Sequence, residues 1–433
     1  MHRRSLAALL LAATVAIAHG FVPVQASDLR IEGAAGPVVA IGGALRYDND
    51  PVWSRLVALA GGDGARFVVL ATAAARPEES AARVIETLQR HGASAVHVAV
   101  APRIAGIDLE QAVSDPRWLE RVEAATGVYF TGGAQERIID TLQPGGRPTP
   151  LLEAIRGVHR RGGVIAGTSA GAAILSRTMF RDAVDVMAVM RGTLRDGKEV
   201  DRGLDLVGPD LFVDQHFLRR GRIGRMLPLL QSRGYAFGLG VEENSAAIIR
   251  GHEVEIIGPG GALFVDLSEA TTERSLGAFN LQGGQLSFLG DGDRLDLRTR
   301  RMTPAAHQVA GVFIDPRAPD FRPEFPDAPF VLDVLGEGAI VRAMSNLLDS
   351  PLDEVRGLAF DARFAADDPQ RTLGFEFRLY KGPDTVGWYS DSRGGEAYSV
   401  AGVRLDVTPV RVAEPLYRPW TQPPTRETRT AAP

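Results

Sequence analysis

The sequence contains no cysteine among its 433 residues. This absence excludes disulfides, thiolate metal sites, a lipoprotein anchor and every mechanism that uses a cysteine nucleophile. A strongly basic balance is missing as well, because 48 Lys and Arg residues stand against 53 Asp and Glu residues. The formal net charge of −5 therefore gives no indication of a nucleic-acid binder.

A long hydrophobic run is also missing, since the apolar stretch from Leu6 to about Ala18 is too short to span a bilayer. Two arginines precede this stretch, and Val24-Gln25-Ala26 follows it as a small-residue cleavage motif. That order is typical of a secretory signal peptide rather than of a buried first helix or a membrane anchor. We therefore predict a signal peptide over residues 1–26, cleavage near Ala26, and export to the periplasm or the medium without stable membrane insertion.

The remaining composition is that of a globular protein, with 45% hydrophobic and 23% charged residues. The length exceeds that of one ordinary core and predicts two domains. Glycine is abundant, at 48 residues, which favours the many tight turns of an α/β protein over a helical bundle.

Short, uniformly apolar runs alternate with amphipathic segments between Gly36 and Asp266. Uniform runs are typical of strands that are buried on both faces, and segments such as 81–91 and 149–161 are long enough for crossover helices. The pattern predicts an α/β fold with a doubly wound, mostly parallel sheet and functional residues at the carboxyl ends of its strands. The predicted strands are residues 38–41, 67–71, 95–100, 128–131, 164–166, 211–213 and 237–241.

Beyond Asp266 the pattern changes to short strands, glycine-rich turns and one helical stretch at about 330–348. Residues 373–380, 387–390 and 400–410 are typical of a β meander. We therefore predict a catalytic domain over residues 27–299, a smaller β-rich domain over 300–415 and a loose tail over 416–433. The role of the β-rich domain stays open between packing, dimer formation and polymer binding.

One serine lies in a strand–turn–helix elbow. The strand 164–166 leads into Gly167-Thr168-Ser169-Ala170-Gly171, after which a helix of small residues begins. The glycines permit a strained turn that exposes the hydroxyl of Ser169, and the backbone N–H of Ala170 points toward a developing oxyanion. A G-x-S-x-G motif alone is also compatible with a plain turn, so the flanking strand and helix carry the prediction that Ser169 is a nucleophile.

A second glycine turn, Gly132-Gly133-Ala134-Gln135, follows the predicted strand 128–131. At the carboxyl end of a parallel strand, the N–H of Gly133 could stabilise the same oxyanion, and the side chain of Gln135 could donate to substrate. Taken alone, the segment is more typical of a structural turn than of a functional one.

A histidine among polar residues follows the predicted strand 211–213. In Asp214-Gln215-His216 the apolar run stops, and His216 is available as a general base for Ser169, although a lone histidine is often structural. Guanidinium groups farther along this segment suit carboxylates and form either a substrate clamp or a solvated face. They belong to Arg220, Arg222 and Arg225.

The predicted strand 237–241 ends in two carboxylates, Glu242 and Glu243. A carboxylate that accepts the second imidazole N–H would complete a set of nucleophile, base and orienting acid. Strand alternation places the two on opposite faces but does not choose between them, because the sheet is buried on both sides. The chain order of serine, histidine and acid differs from that of α/β-hydrolases and indicates another doubly wound lineage.

Together these motifs resemble the cyanophycinase family, which is related to aspartyl dipeptidases and shares a class I glutamine-amidotransferase-like fold. The resemblance covers about residues 36–266 and leaves the C-terminal third outside the core pattern. It rests on the joint occurrence of Gly132–Gln135, Gly167–Ala172, Asp214–Phe217, the three arginines and Gly238–Glu243.

The resemblance implies a serine exopeptidase that hydrolyses cyanophycin, a poly-aspartate whose side chains carry arginine, to β-aspartyl-arginine through an acyl-enzyme. It implies Glu243 as the acid that orients His216, although Glu242-Glu243-Asn244 departs from the expected Asp-Glu-Asp-like run. Asp214 suits a substrate guanidinium and the arginines suit free carboxylates. The implied substrate-binding residues are Gln135, Asp214, Gln215, Arg220, Arg222 and Arg225, and no metal or cofactor is expected.

Two other functions remain open. An α-aspartyl dipeptidase would use the same chemistry with fewer substrate-facing arginines, and a catalytically inert envelope protein would bind polymer without cleaving it. A glutamine amidotransferase is excluded because the cysteine nucleophile is missing. The polymer is the expected partner and nucleic acid is not, while a homodimer is compatible with a sequence that does not fix the oligomeric state.

Overall fold

The computed structural model describes residues 21–23, 35–183 and 185–419. The predicted cleavage site at Ala26 and the end of the predicted tail lie outside these residues. Residues 21–23 form a strand within the predicted signal peptide, so cleavage after Ala26 would remove that strand. Within the described ranges, no helix combines the length and the hydrophobicity that a bilayer crossing requires.

The described residues form two large sheets, one small two-stranded sheet and a set of mostly short helices. The strands are β1 (Phe21–Pro23), β2 (Val38–Ile41), β3 (Arg66–Leu70), β4 (Ser94–His97), β5 (Gly127–Phe130), β6 (Val164–Thr168), β7 (Thr178–Phe180), β8 (Val200–Arg202), β9 (Leu211–Gln215), β10 (Phe237–Val241), β11 (Ala246–Arg250), β12 (Glu253–Ile257), β13 (Ala262–Asp266), β14 (Thr271–Glu273), β15 (Leu281–Leu289), β16 (Arg294–Asp296), β17 (Arg301–Thr303), β18 (Val312–Ile314), β19 (Glu354–Ala359), β20 (Leu373–Ser390) and β21 (Ala397–Arg411). The α-helices are α1 (Asp50–Leu59), α2 (Pro77–Arg90), α3 (Leu109–Ala112), α4 (Pro116–Glu123), α5 (Gln135–Leu142), α6 (Pro150–Arg160), α7 (Ala170–Ala173), α8 (Val186–Met190), α9 (Ile223–Arg233), α10 (Ala306–Val309) and α11 (Ala339–Leu348).

The first sheet has the strand order β17-β16-β12-β11-β2-β6-β5-β3-β4. The five strands from β2 to β4 in this order are parallel, and β11 pairs with β2 in the antiparallel direction. Alternate residues of β2 pack on opposite sides, Val38 and Ala40 in the core formed with α4 and α6, and Val39 and Ile41 in the core formed with α1 and α2. The predicted α/β class, with apolar parallel strands between two helical layers, is confirmed.

Two of the predicted strands belong to the second sheet. β9 and β10 pair in parallel, but they lie at the end of the order β18-β20-β21-β15-β13-β10-β9, in which the remaining pairs are antiparallel. Two of the seven predicted strands therefore lie outside the sheet that contains the other five. Residues of β9 contribute to two separate cores, so the uniform apolar run reports burial on both faces but not the identity of the neighbouring strand.

The β-rich C-terminal region extends this second sheet. β15 pairs with the long strand β21, and β21 pairs with β20, so the predicted meander adds directly to the strands that precede it. The predicted boundary at residue 300 falls between strands of one continuous sheet. The division into a catalytic and a β-rich domain stays a prediction.

The carboxyl ends of β2 and β6 in the first sheet meet those of β9 and β10 in the second. The N–H of His216, directly after β9, donates to the carbonyl oxygen of Gly42, directly after β2, at 2.7 Å. The N–H of Asn244, which follows β10, donates to the carbonyl oxygen of Gly43 at 2.8 Å. These bonds join the loops that carry the predicted site residues, so the junction of the two sheets is the candidate site.

Candidate active site

Ser169 lies at the tip of the predicted elbow, between β6 and α7. Its backbone has φ of 53° and ψ of −110°, a conformation that is costly for any residue other than glycine and is typical of functional sites. The neighbouring glycines leave no room for side chains: a Cβ atom at Gly167 would lie 2.0 Å from the carbonyl oxygen of Gly171, and one at Gly171 would lie 2.5 Å from that of Phe130. The glycines therefore allow the sharp turn that presents the hydroxyl.

His216 faces this hydroxyl from the end of β9. The distance between Ser169 Oγ and His216 Nε2 is 2.9 Å, which is within reach for proton transfer. On the other side of the ring, His216 Nδ1 lies 2.5 Å from Oε1 of Glu243, so the carboxylate can accept the second ring N–H. The structure thus brings the predicted nucleophile, base and acid into one hydrogen-bonded chain.

The electrostatic surroundings of His216 favour its neutral form. Burial of the imidazole lowers the pKa of His216 below its ordinary value of 6.5, and the hydrogen bond to Glu243 only partly opposes this effect. The charges of Arg220 and Arg222 lower the pKa further. The imidazole is therefore largely unprotonated at neutral pH and able to accept a proton from Ser169.

Two backbone N–H groups lie close to Ser169. Ala170 is the first residue of α7, so its N–H has no acceptor within the helix. Gly133 has φ of +144°, and a Cβ atom there would lie 2.0 Å from the carbonyl oxygen of Ala73, so only glycine fits. The same turn touches the serine, because a Cβ atom at Gly132 would lie 3.2 Å from the Cβ of Ser169. This geometry is compatible with the oxyanion role predicted for Gly133 and Ala170.

Gly43 is a site residue that the sequence analysis missed. It has φ of +100°, and a Cβ atom there would lie 2.2 Å from His216 Nε2, so the imidazole occupies the space that a side chain would need. Gly42 is equally confined, because a Cβ atom there would lie 2.0 Å from the carbonyl oxygen of Glu242. The available signal was the Gly-Gly pair directly after β2, which is the same signal that identified Gly132-Gly133.

Asp214, Arg222 and Arg225 form a buried ion cluster. Asp214 lies within β9, and its carboxylate accepts hydrogen bonds of 2.6 and 2.8 Å from Arg225. Arg222 lies 3.4 Å from the same carboxylate and donates to the carbonyl oxygen of Gln215 at 2.6 Å. The three side chains are 10% exposed or less. These charges pair with each other in the interior, and the substrate contacts of Asp214, Arg222 and Arg225 stay a prediction.

Asp214 and Arg222 remain charged at neutral pH. Burial alone would raise the pKa of Asp214, but the guanidinium groups of Arg225 and Arg222 outweigh it and hold the pKa below its ordinary value. Burial lowers the pKa of Arg222 to about 10, although the attraction of Asp214 opposes the shift. The cluster is thus a buried ion network formed by residues that lie close to His216 in the sequence.

The two glutamines of the predicted substrate contacts have different surroundings. The side-chain Nε2 of Gln135 donates to the carbonyl oxygens of Phe180 and Arg181 at 2.9 and 3.4 Å, and its donation to substrate stays a prediction. Gln215 is buried, and its Oε1 has no hydrogen-bond partner within the described residues. A substrate contact of Gln215 therefore stays a prediction.

Arg220 is the exposed member of the three predicted arginines. Its guanidinium forms no hydrogen bond or ion pair with the part of the chain that the structure describes, yet its charge acts on His216. A free guanidinium close to the base suits a substrate carboxylate. Across the described ranges, no three His, Asp or Glu side chains are grouped so that they could hold a metal ion.

Known families and known proteins match a large part of this chain. Residues 38–257 match the family model described as peptidase family S51. Cyanophycinase from Trichormus variabilis is 30% identical over 281 residues, which is 63% of this chain and 89% of that protein. Cyanophycinase from Geminocystis herdmanii is 30% identical over 276 residues, 61% of this chain and 94% of that protein. Cyanophycinase from Thermosynechococcus vestitus is 27% identical over 291 residues, 65% of this chain and 85% of that protein.

Similar solved structures are also peptidases. A peptidase from an acI-B1 Actinobacterium superposes with a TM-score of 0.41 and 20% identity, over 64% of this chain and 98% of that chain. A putative peptidase E protein from Listeria monocytogenes superposes with a TM-score of 0.36 and 17% identity, over 52% of this chain and 99% of that chain.

Proposed function

The chain belongs to peptidase family S51, and on that premise we propose that it hydrolyses cyanophycin through an acyl-enzyme on Ser169. The cyanophycinases that it resembles support the choice of substrate. The observation that carries the mechanism is the hydrogen-bonded chain from Ser169 Oγ through His216 to Glu243, with distances of 2.9 and 2.5 Å. Such a chain activates a hydroxyl that is otherwise a weak nucleophile.

The proposed reaction has two halves. Ser169 Oγ attacks the carbonyl carbon of the bond to be cut while His216 Nε2 accepts the hydroxyl proton, and the N–H groups of Gly133 and Ala170 stabilise the oxyanion. The imidazolium then gives its proton to the leaving amine, and the acyl-enzyme forms. Water, activated by His216, hydrolyses the acyl-enzyme and regenerates the serine. Glu243 holds the imidazole in the required tautomer and stabilises its charged form.

Arg220 is the proposed contact for the polymer side chains. Each arginine branch of cyanophycin ends in a free α-carboxylate, and a guanidinium binds a carboxylate through charge-assisted hydrogen bonds. Exposure, the lack of a partner within the described residues and the electrostatic effect on His216 all support this role. The expected product is the dipeptide β-aspartyl-arginine, released by exopeptidase cleavage.

One observation favours a second candidate, an α-aspartyl dipeptidase. That activity needs fewer arginines at the substrate, and the burial of Arg222 and Arg225 leaves Arg220 as the exposed member of the three. Because both candidates use the same nucleophile, base and acid, only the substrate distinguishes them.

Incubation of the purified protein with insoluble cyanophycin or with Asp-X dipeptides separates the two candidates. We expect soluble β-aspartyl-arginine from the polymer, identified by mass, and slow cleavage of the dipeptides. Rapid dipeptide cleavage without release from the polymer would instead support the dipeptidase. A fluorophosphonate probe that labels the wild type but not Ser169→Ala tests the acyl-enzyme, and a lack of both labelling and turnover would favour an inert polymer-binding protein.

Export is a further part of the proposal, supported by the basic start, apolar stretch and cleavage motif of residues 1–26. The mature protein should begin at Ser27. N-terminal sequencing of protein recovered from outside the cytoplasm tests this, and a mature chain that begins at Met1 would contradict it.

A further inference from the structure

A segment outside the family match contacts the turn that follows the catalytic histidine. We define residues 217–222, which include Arg220, as the arginine turn, and residues 333–338, directly before α11, as the supporting segment. The supporting segment lies beyond residues 38–257, the range that matches peptidase family S51. We propose that it positions the arginine turn for substrate binding, an inference that rests on the proposed role of Arg220.

Two polar contacts join the segment to the turn. The N–H of Gly338 donates to the carbonyl oxygen of Leu218 at 3.2 Å. The carboxylate of Glu337 forms an ion pair with the guanidinium of Arg219. These contacts involve the two residues that directly precede Arg220.

A close backbone approach reinforces the polar contacts. Gly221 has φ of +56°, and a Cβ atom there would lie 2.0 Å from the carbonyl oxygen of Leu335. A Cβ atom at Gly224 would lie 3.1 Å from Cδ2 of the same leucine. The supporting segment therefore touches the stretch that leads from Arg220 into α9 at two positions, and glycine at position 221 is what allows this distance.

The supporting segment is itself fixed by the β-rich region. The N–H of Val334 donates to the carbonyl oxygen of Leu358 in β19 at 3.0 Å, and the Val334 side chain is buried. Asp333 closes the segment on itself, because its side chain accepts the N–H of Leu335 at 3.2 Å and its carbonyl oxygen accepts the N–H of Gly336 at 3.2 Å. A segment held in this way can act as a firm surface for a neighbouring turn.

The opposite side of the arginine turn is held by the candidate active site. The carboxylate of Glu242 accepts the N–H groups of Leu218 and Arg219, and the N–H of Arg220 donates to the carbonyl oxygen of His216 at 3.2 Å. The bonds of His216 to Gly42 and Glu243 do not involve the supporting segment. Loss of the support should therefore loosen Arg220 and weaken substrate binding, while the proton transfer at Ser169 continues.

A charge reversal tests this split between binding and chemistry. Glu337→Arg places two guanidinium groups against each other, and we expect the apparent KM for cyanophycin to rise about fivefold with kcat within about twofold of the wild type. The exchanged pair Arg219→Glu/Glu337→Arg restores the attraction and should return KM to within about twofold of the wild type. As a matched control, Asp315→Arg reverses the acid of another ion pair of the β-rich region and should leave KM unchanged.

Amide hydrogen exchange gives a readout that needs no substrate. In Glu337→Arg we expect faster exchange at residues 217–222 with an unchanged Tm, and recovery in the exchanged pair. The inference is overturned if Glu337→Arg changes neither the amide exchange at residues 217–222 nor KM. It is also overturned if KM rises together with a lower Tm but amide exchange at residues 217–222 is not faster. Failure of the wild type to hydrolyse cyanophycin would sink the proposed function instead, and the exchange measurement would then decide the positioning alone.

Discussion

Glu242 and Glu243 are adjacent in the chain, yet their carboxylates accept hydrogen bonds from different groups. Oε1 of Glu243 lies 2.5 Å from His216 Nδ1, whereas Oε2 of Glu242 lies 2.5 and 3.0 Å from the backbone nitrogens of Leu218 and Arg219. One carboxylate thus contacts the imidazole, and the other fixes the turn that follows it.

The two glutamates should therefore differ in mutant kinetics on cyanophycin. We expect Glu243→Gln to lower kcat by roughly two to four orders of magnitude, on the scale of orienting-acid replacements in other triads. Glu242→Gln should cost much less and act mainly on KM, because an amide oxygen can still accept from the turn. If the Glu242 variant is inactive while the Glu243 variant remains active, then Glu242 and not Glu243 orients His216.

Gly43→Ala should remove most of the activity without unfolding the protein. The added methyl group would lie 2.2 Å from His216 Nε2 and must displace the imidazole from Ser169, so we expect kcat to fall by at least about 100-fold. Gly61→Ala is the matched control, since Gly61 has a similar φ of +112° but nothing within 4 Å of the added atom. Equal kinetics in the two variants would show that Gly43 does not fix the histidine.

Arg220 and Arg225 should respond differently to truncation. Arg220→Ala should lower kcat/KM by an amount that corresponds to a loss of about 1.5 to 3 kcal/mol in transition-state stabilisation. It should leave the free energy of unfolding unchanged, because the exposed guanidinium serves substrate binding. Arg225→Ala leaves the buried carboxylate of Asp214 without its main partner and should lower the free energy of unfolding by about 3 to 5 kcal/mol. Kinetics and urea denaturation of both variants test this, and the reverse pattern would refute the assignment.

The pH dependence of kcat/KM should reflect the lowered pKa of His216. The base works only when unprotonated, so activity is lost as the pH falls through this pKa, and the acid limb should lie below pH 6.5. The charge of Arg220 contributes to the lowering, so Arg220→Ala should move the limb to higher pH. Arg317→Ala, which removes an exposed guanidinium of the β-rich region, is the control. A limb at the same pH in the Arg220 variant and the wild type would contradict this reading.

Local patterns in the sequence were sufficient for the elbow and for most strands. β2 and β10 have the predicted bounds, Ser169 lies directly after β6, and the turn at Gly132-Gly133 begins one residue beyond the end of β5. These features depend on apolar runs and on glycine at confined positions, both of which can be read within a few residues. The resemblance to a family then linked Ser169, His216 and Glu243 across the chain.

Long-range pairing was the part that the sequence could not specify. Asp214 and Arg225 look available for substrate until the structure shows that β9 continues to Gln215 and buries both charges together. In the same way, the apolar run of β9 indicates burial on two faces but does not tell which sheet contains it. Contacts such as Gly43 with His216 join residues far apart in the chain, and no local pattern encodes them.

The activity of Ser169→Ala on insoluble cyanophycin tests the central claim most directly. Dipeptide release, followed by mass, should become undetectable while the variant keeps the wild-type Tm and still binds the polymer, because the hydroxyl serves chemistry rather than packing. Dipeptide release within tenfold of the wild-type rate, about 1.4 kcal/mol in the activation barrier, would mean that another group is the nucleophile.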